Sequence, residues 1–231
     1  MKHYLLFIAL LYPLCSHAYS HLSPYSYCGG DPVNCVDPSG EDIVILNYGY
    51  GKDQHLAMLI QDENGKWQYY SVNGNNMYFS GSHSGGRTFN DVAVGSWNSP
   101  QEFLNSSYNV RNENSKDNKS MNHFGFTEGY QIHTTQSQDA TMRKSFSKTA
   151  KSEYDLFNNN CATAVQRAML DALIPVSENS IVPTFIPMLT PFGIVDVCNG
   201  YEINYDMMKV VPSSAFQSIM QWNPGGQYLQ K

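Results

Sequence analysis

Charge is scarce in this chain. Only 15% of its 231 residues are Asp, Glu, Lys or Arg, and acids exceed bases 20 to 14, leaving a formal charge of −6. A nucleic-acid binder that relies on a basic patch needs the opposite balance, so that class is disfavoured. No CxxC pair occurs, and no His/Cys cluster has zinc-finger spacing, which removes the common structural zinc sites. The glycine- and serine-rich run Ser80-Gly-Ser-His-Ser-Gly-Gly86 lacks the Lys-Ser/Thr ending of a phosphate-binding loop, so no nucleotide is assigned to it. No metal or other cofactor is expected. The one strongly apolar run near the start, Leu5 to Leu11, is too short to span a bilayer, so no transmembrane span is expected in the mature chain.

What is present suffices for a folded domain. Hydrophobic residues make up 42% of the chain and aromatics 13%, at a length that suits one domain, or one domain with a leader. Five cysteines occur, at 15, 28, 35, 161 and 198. An odd count leaves at least one thiol unpaired if the rest bridge. Cys28 and Cys35 are close enough in sequence to pair in an oxidising compartment, removal of Cys15 with a leader leaves four, and the connectivity stays open.

Residues 1–20 read as a signal peptide or leader. Lys2 and His3 open it, the apolar run follows, and Ser16-His17-Ala18 sets small residues at the −3 and −1 positions of a cleavage site. The expected location is therefore secreted or in the cell envelope. Residues 21–42 are crowded with turn formers, among them Asp31-Pro32, Asp37-Pro38 and Gly40. The phrases Ser23-Pro-Tyr-Ser-Tyr27, Pro32-Val-Asn34 and Asp37-Pro-Ser-Gly40 resemble the closing segment of the core of Rhs (rearrangement hot spot) repeat proteins. In that family the segment ends a large β-shell and a variable toxin domain follows. The resemblance implies that residues 43–231 are such an effector module, with a neighbouring immunity protein as a partner.

Within that module, Asp42 to Asn47, with Ile43 to Leu46 at its centre, reads as a first buried strand. His55-Leu-Ala-Met-Leu-Ile-Gln61 and Lys66-Trp-Gln-Tyr-Tyr-Ser-Val72 read as a strand pair joined at Asp62-Glu-Asn-Gly65. Ser99-Pro-Gln-Glu predicts a short capped helix. Residues 75–123 are otherwise the least organised, with a polar stretch from Asn112 to Asn122 of the kind that can serve as a substrate lid. Gly129 to Thr135 predicts a strand, followed by a helix capped by Ser137 or Asp139 and running to about Ser152. Pro175 to Gly193, rich in proline and apolar residues, is expected to cover the core or the site. Ser213 to Trp222 predicts a last helix with Pro212 at its start.

The stretch that organises the rest is Tyr154-Asp-Leu-Phe-Asn-Asn-Asn-Cys161. Asn159 or Asn160 serves as the N-cap of a helix whose Ala162, Val165, Met169 and Ala172 recur at helical spacing. Cys161 then stands in the first turn, where free amides and the positive end of the helix dipole favour a thiolate. A lowered thiol pKa is the expectation. His55, at the entrance of a strand with a well-marked partner, is the preferred base, with His133 the second choice.

A histidine that opens a strand-turn-strand, followed about a hundred residues later by Asn-Cys on a helix, resembles the circularly permuted papain-like fold of NlpC-like amidases and lecithin:retinol acyltransferase-type enzymes. Tyr154-x-Leu-x-x-Asn-Asn-Cys161 and Gln138-Asp139 resemble secreted or Rhs-linked members. The resemblance implies an α+β fold with a small antiparallel sheet against the Cys161 helix. It implies Cys161 as nucleophile, His55 as general base, and the Cys161 amide at the Asn160 cap as oxyanion donor. The substrate would be a peptide, a peptidoglycan peptide or a lipid acyl group. The second strand offers Gln68 and Ser71 where many members carry a histidine, so the residue that orients His55 is one of these or a backbone carbonyl. Two other classes stay open: a non-catalytic envelope or binding protein of the same fold, and a nuclease-type toxin using His55 and His133.

Overall fold

In the computed structural model, residues 42–50, 54–73, 90–109, 125–155, 157–191 and 193–231 are described. The expected leader with Cys15, the Rhs-like segment up to residue 41 with Cys28 and Cys35, the 80–86 run and the polar stretch 112–122 lie outside the described residues. Two compact units emerge. One comprises Gly40–Val182 with Tyr201–Lys231, and the described part of the other is Pro183–Gly200.

The larger unit is mixed α+β, built on an antiparallel sheet. Its strands are β1 (Asp42–Tyr48), β2 (His55–Gln61), β3 (Trp67–Ser71), β4 (Asp91–Trp97), β5 (Glu128–His133) and β8 (Gln227–Gln230). They lie in the order β4-β3-β2-β1-β5-β8. The helices are α1 (Pro100–Asn105), α2 (Gln136–Thr149), α3 (Cys161–Asp171) and α4 (Pro212–Trp222). Strands β1 and β2 sit at the centre and are buried on both faces, which is why Ile43 to Leu46 and Leu56 to Ile60 are unbroken apolar runs. Alternation along each strand sends neighbours to opposite sides. Ile43, Ile45, Leu56, Met58, Ile60 and Tyr70 pack against α2, α3 and α4. Val44, Leu46, Ala57, Leu59, Trp67 and Tyr69 pack against Trp97, Phe103 and Phe126.

Local chemistry sets the element ends. The β2–β3 turn closes on Asp62, whose carboxylate accepts from the Asn64 and Lys66 amides, with Gly65 at φ +72°. Ser99 caps α1 by accepting from the Glu102 amide. The cap of α2 is Thr135, not Ser137 or Asp139. The Thr135 hydroxyl accepts from the Gln138 amide and the Gln138 side chain accepts from the Thr135 amide, a reciprocal capping box. Asp139 is buried one turn in and accepts from the Thr134 hydroxyl.

The segment expected to act as a cover differs. Residues Ile181–Thr190 and Gly193–Ile203 form β6 and β7, a two-stranded hairpin. Ile181 and Ile203 at its base pack against the helical core, whereas Phe185, Ile186, Met188, Leu189, Ile194 and Val195 are exposed. Among the described residues no helix is long and apolar enough to cross a membrane.

Candidate cysteine–histidine site

Helix α3 begins where the asparagine run ends, and each side chain there has a structural task. Asp155 accepts from the Phe157 and Asn158 amides, and Asp155 and Asn159 exchange backbone bonds of 3.1 and 3.0 Å, folding the run into a tight turn. Asn159 donates to the Glu153 carbonyl at 2.7 Å. Asn160 is the N-cap: its Oδ1 accepts from the Thr163 amide at 2.9 Å, and Thr163 Oγ1 accepts from the Asn160 amide at 2.9 Å. Its Nδ2 donates to the Val210 carbonyl. Gln166, one turn further on, exchanges bonds with the backbone of Lys209. The front of α3 is thus pinned to residues 209–210, and Asn160 holds the helix rather than the reacting groups.

Cys161 is buried, with 4% of its surface exposed. The amides of Leu56, Ala162 and Cys161 itself surround its sulfur. Their effect is to favour the thiolate, as expected at a helix start, but burial outweighs them and pushes the thiol up to about 11. The expected lowered pKa is therefore not observed, because a helix N-terminus sealed from water loses more to desolvation than its amides return.

The Leu56 amide ties the thiol to the start of β2, whose first residue is His55. The imidazole lies on the aromatic face of the sheet, 6.1 Å between centroids from Phe126, while α3 packs on the other face. Cys161 and His55 are thus both placed at the start of β2. Burial lowers the His55 pKa to about 3. Both groups are neutral at rest.

Ser71 is the residue that holds His55. Its Oγ lies 2.6 Å from His55 Nε2. Ser71 donates to Asn73 Oδ1 at 3.1 Å, and Asn73 Nδ2 donates to Asp91 Oδ2 at 3.1 Å. The Tyr69 hydroxyl also bonds Ser71, and the Tyr108 hydroxyl also bonds Asp91. This chain fixes the tautomer. The Asp91 carboxylate accepts from the Asn73 amide nitrogen, which turns Asn73 Oδ1 toward Ser71. The single Ser71 hydrogen is spent on that oxygen, so Ser71 Oγ can only accept from His55. His55 therefore carries its hydrogen on Nε2 and its lone pair on Nδ1. Replacing Ser71 with Ala removes that acceptor. In ¹⁵N-histidine NMR, His55 is expected to show one Nε2–H tautomer in the native chain and a mixture in Ser71→Ala; an unchanged pattern would refute the assignment.

Gln68 is not brought to this site. It pairs with Ile60, five residues along β2 from His55, or about 16 Å at strand rise. It also points to the helical face, where it accepts from the Tyr70 hydroxyl. His133 is similarly remote. It pairs with Asp42 at one end of β1 while His55 pairs with Tyr48 at the other, a separation of about 20 Å. His133 Nδ1 lies 2.6 Å from Asp42 Oδ1. A nuclease site drawing on both histidines is incompatible with that separation.

Sequence reasoning missed Asn73, Asp91 and Tyr108. Asn73 was legible, since strand alternation puts residues 55, 71 and 73 on one face once the hairpin is in register. Asp91 was not, because the chain between Asn73 and Asn90 gives no pairing signal. Among the described residues no three His, Cys, Asp or Glu side chains gather where a metal could bind. Compared with protein-family models, with curated proteins and with solved structures, the chain matches none.

Proposed function

We propose that the protein is a cysteine hydrolase of the permuted papain-like type, exported as an Rhs-type effector module. The observation that carries this reading is one juxtaposition. A cysteine opens a buried helix with three amides around its sulfur, at the head of a strand whose first residue is a histidine held at 2.6 Å by Ser71.

In this mechanism the Cys161 sulfur attacks an acyl carbonyl as His55 Nδ1 takes the thiol proton. The carbonyl oxygen gains the negative charge and accepts from the Cys161 and Ala162 amides. The C–N or C–O bond then breaks, His55 returns the proton to the leaving group, and a thioester remains. Water, giving a proton to His55, attacks the thioester; the C–S bond breaks, the carboxylic acid leaves, and His55 returns the proton to the sulfur. A neutral resting pair suits this order of events, with the proton moving only as the sulfur bonds to carbon. Peptides, peptidoglycan peptides and lipid acyl groups all supply such a carbonyl. An immunity protein would act by closing the site.

The raised thiol pKa favours a second reading, a non-catalytic binding protein of the same architecture. Mass spectrometry of acid-quenched reactions separates the two. Native protein would be mixed in turn with peptidoglycan fragments, a protein substrate and a phospholipid. An acyl adduct on Cys161 is expected with one of them, abolished in Cys161→Ser and slowed about 10²- to 10⁴-fold in His55→Ala. No adduct with any donor, or hydrolysis that survives Cys161→Ser, would overturn the hydrolase reading.

A further inference from the structure

Residues 181–195 contain no Asp, Glu, Lys, Arg or His. They form β6 and the start of β7. Successive strand residues face opposite sides, yet neighbours are exposed together: Phe185 with Ile186, Met188 with Leu189, and Ile194 with Val195. Leu189 and Ile194, on either side of the turn, are 81% and 71% exposed. A hairpin that docks on a protein surface needs one apolar face. This one is apolar on both faces around its tip, and the medium that meets both faces at once is hydrocarbon.

The backbone carries the same mark. In a two-stranded sheet each strand has one unpaired edge. Pro183 and Pro187 lie four apart on β6 and so share an edge; a proline cannot donate to a ladder, which sets that edge outward. Each removes an N–H that would lack a partner in lipid. The same prolines hinder addition of a strand from a second copy. At the turn, the Thr190 hydroxyl donates to the Gly193 carbonyl at 2.8 Å, which occupies one polar pair of the tip. The charged residues of the hairpin are Asp196 and Glu202, with no Lys or Arg to seek an anionic headgroup.

We propose that the β6–β7 tip is a membrane-docking element that seats in the interface of a zwitterionic bilayer. It dips rather than spans, since open sheet edges are not tolerated across hydrocarbon. The proposal is independent of the Cys161 chemistry.

The test is flotation of the full chain with phosphatidylcholine vesicles, beside Cys161→Ser and the double variant Leu189→Asp/Ile194→Asp. Circular dichroism and the Cys161 alkylation rate serve as checks that the fold is intact. Native protein and Cys161→Ser are expected to float equally, and the double variant at least about tenfold less. Failure of the native chain to float, or equal flotation of the double variant, would overturn the proposal. So would flotation that requires phosphatidylglycerol, or loss of an oligomer rather than of flotation in the double variant. If the double variant is misfolded, Leu189→Ser/Ile194→Ser replaces it with the same expected outcome.

Discussion

Native Cys161 is expected to react with iodoacetamide about 100-fold more slowly than the same thiol in the urea-unfolded chain at pH 8, because only the thiolate attacks. The thiol is pushed from 9.0 up to about 11 by burial, against the pull of the Leu56, Ala162 and Cys161 amides. Two pH units of displacement mean a hundredfold smaller thiolate fraction below pH 9. The other four cysteines would be changed to Ser so that one thiol reports. Restricted access would also slow the native thiol, but by a factor that does not vary with pH. The diagnostic is therefore the ratio: it should narrow as pH rises from 9 toward 11. A native rate that levels off below pH 9 would mean a thiolate held at rest, and would reject the neutral pair on which the proposed order of proton transfer depends. The result matters for function because a thiol that is inert to a small alkylator, yet acylated by a substrate, acts only when a bound carbonyl draws its electrons.

The contrast between what was legible and what was not follows from range. Elements set by neighbours in sequence were readable: the Ser99 and Asn160 caps, the Asp62 turn, and the stripe of Ala162, Val165, Met169 and Ala172, all buried in the helical core. The α+β class and the antiparallel β2–β3 pair were readable for the same reason. Strand β4 was not, because its pattern is interrupted by residues with positive φ at Ala93 and Gly95 and by register shifts against β3. Strand β8 is four residues at the sheet edge with little burial, too short for a period to register. The site divides along the same line. Cys161 and His55 each announce themselves locally, and Ser71 follows from the hairpin register. Asp91 reaches the site only through tertiary pairing. The thiol pKa was misjudged because a helix start is local information and desolvation is not.

The second large effect concerns acid stability. Burial holds the His55 pKa at about 3, against 6.5 in an unfolded chain. Between those values the unfolded state binds a proton that the native state refuses, so stability rises with pH across the window. The contribution is fully present above pH 6.5 and is lost as pH falls toward 3. At pH 4 a shift of this size corresponds to roughly 3 kcal/mol lost relative to neutral pH, a large share of an ordinary domain's stability. His55→Asn removes the titrating group while keeping a polar side chain toward Ser71. Whatever that substitution costs in packing or hydrogen bonding, it costs at both pH values, so the slope and not the absolute stability isolates the proton. Urea unfolding at pH 7 and pH 4 should show the native chain losing about 3 kcal/mol more than His55→Asn over that interval. Equal losses in the two chains would mean that His55 takes up its proton without unfolding. The imidazole would then be open to solvent in the native state, contrary to its 4% exposure, and a charged His55 could stand beside Cys161 at mildly acidic pH. The same experiment therefore reports on whether the base of the proposed mechanism is sealed until substrate arrives.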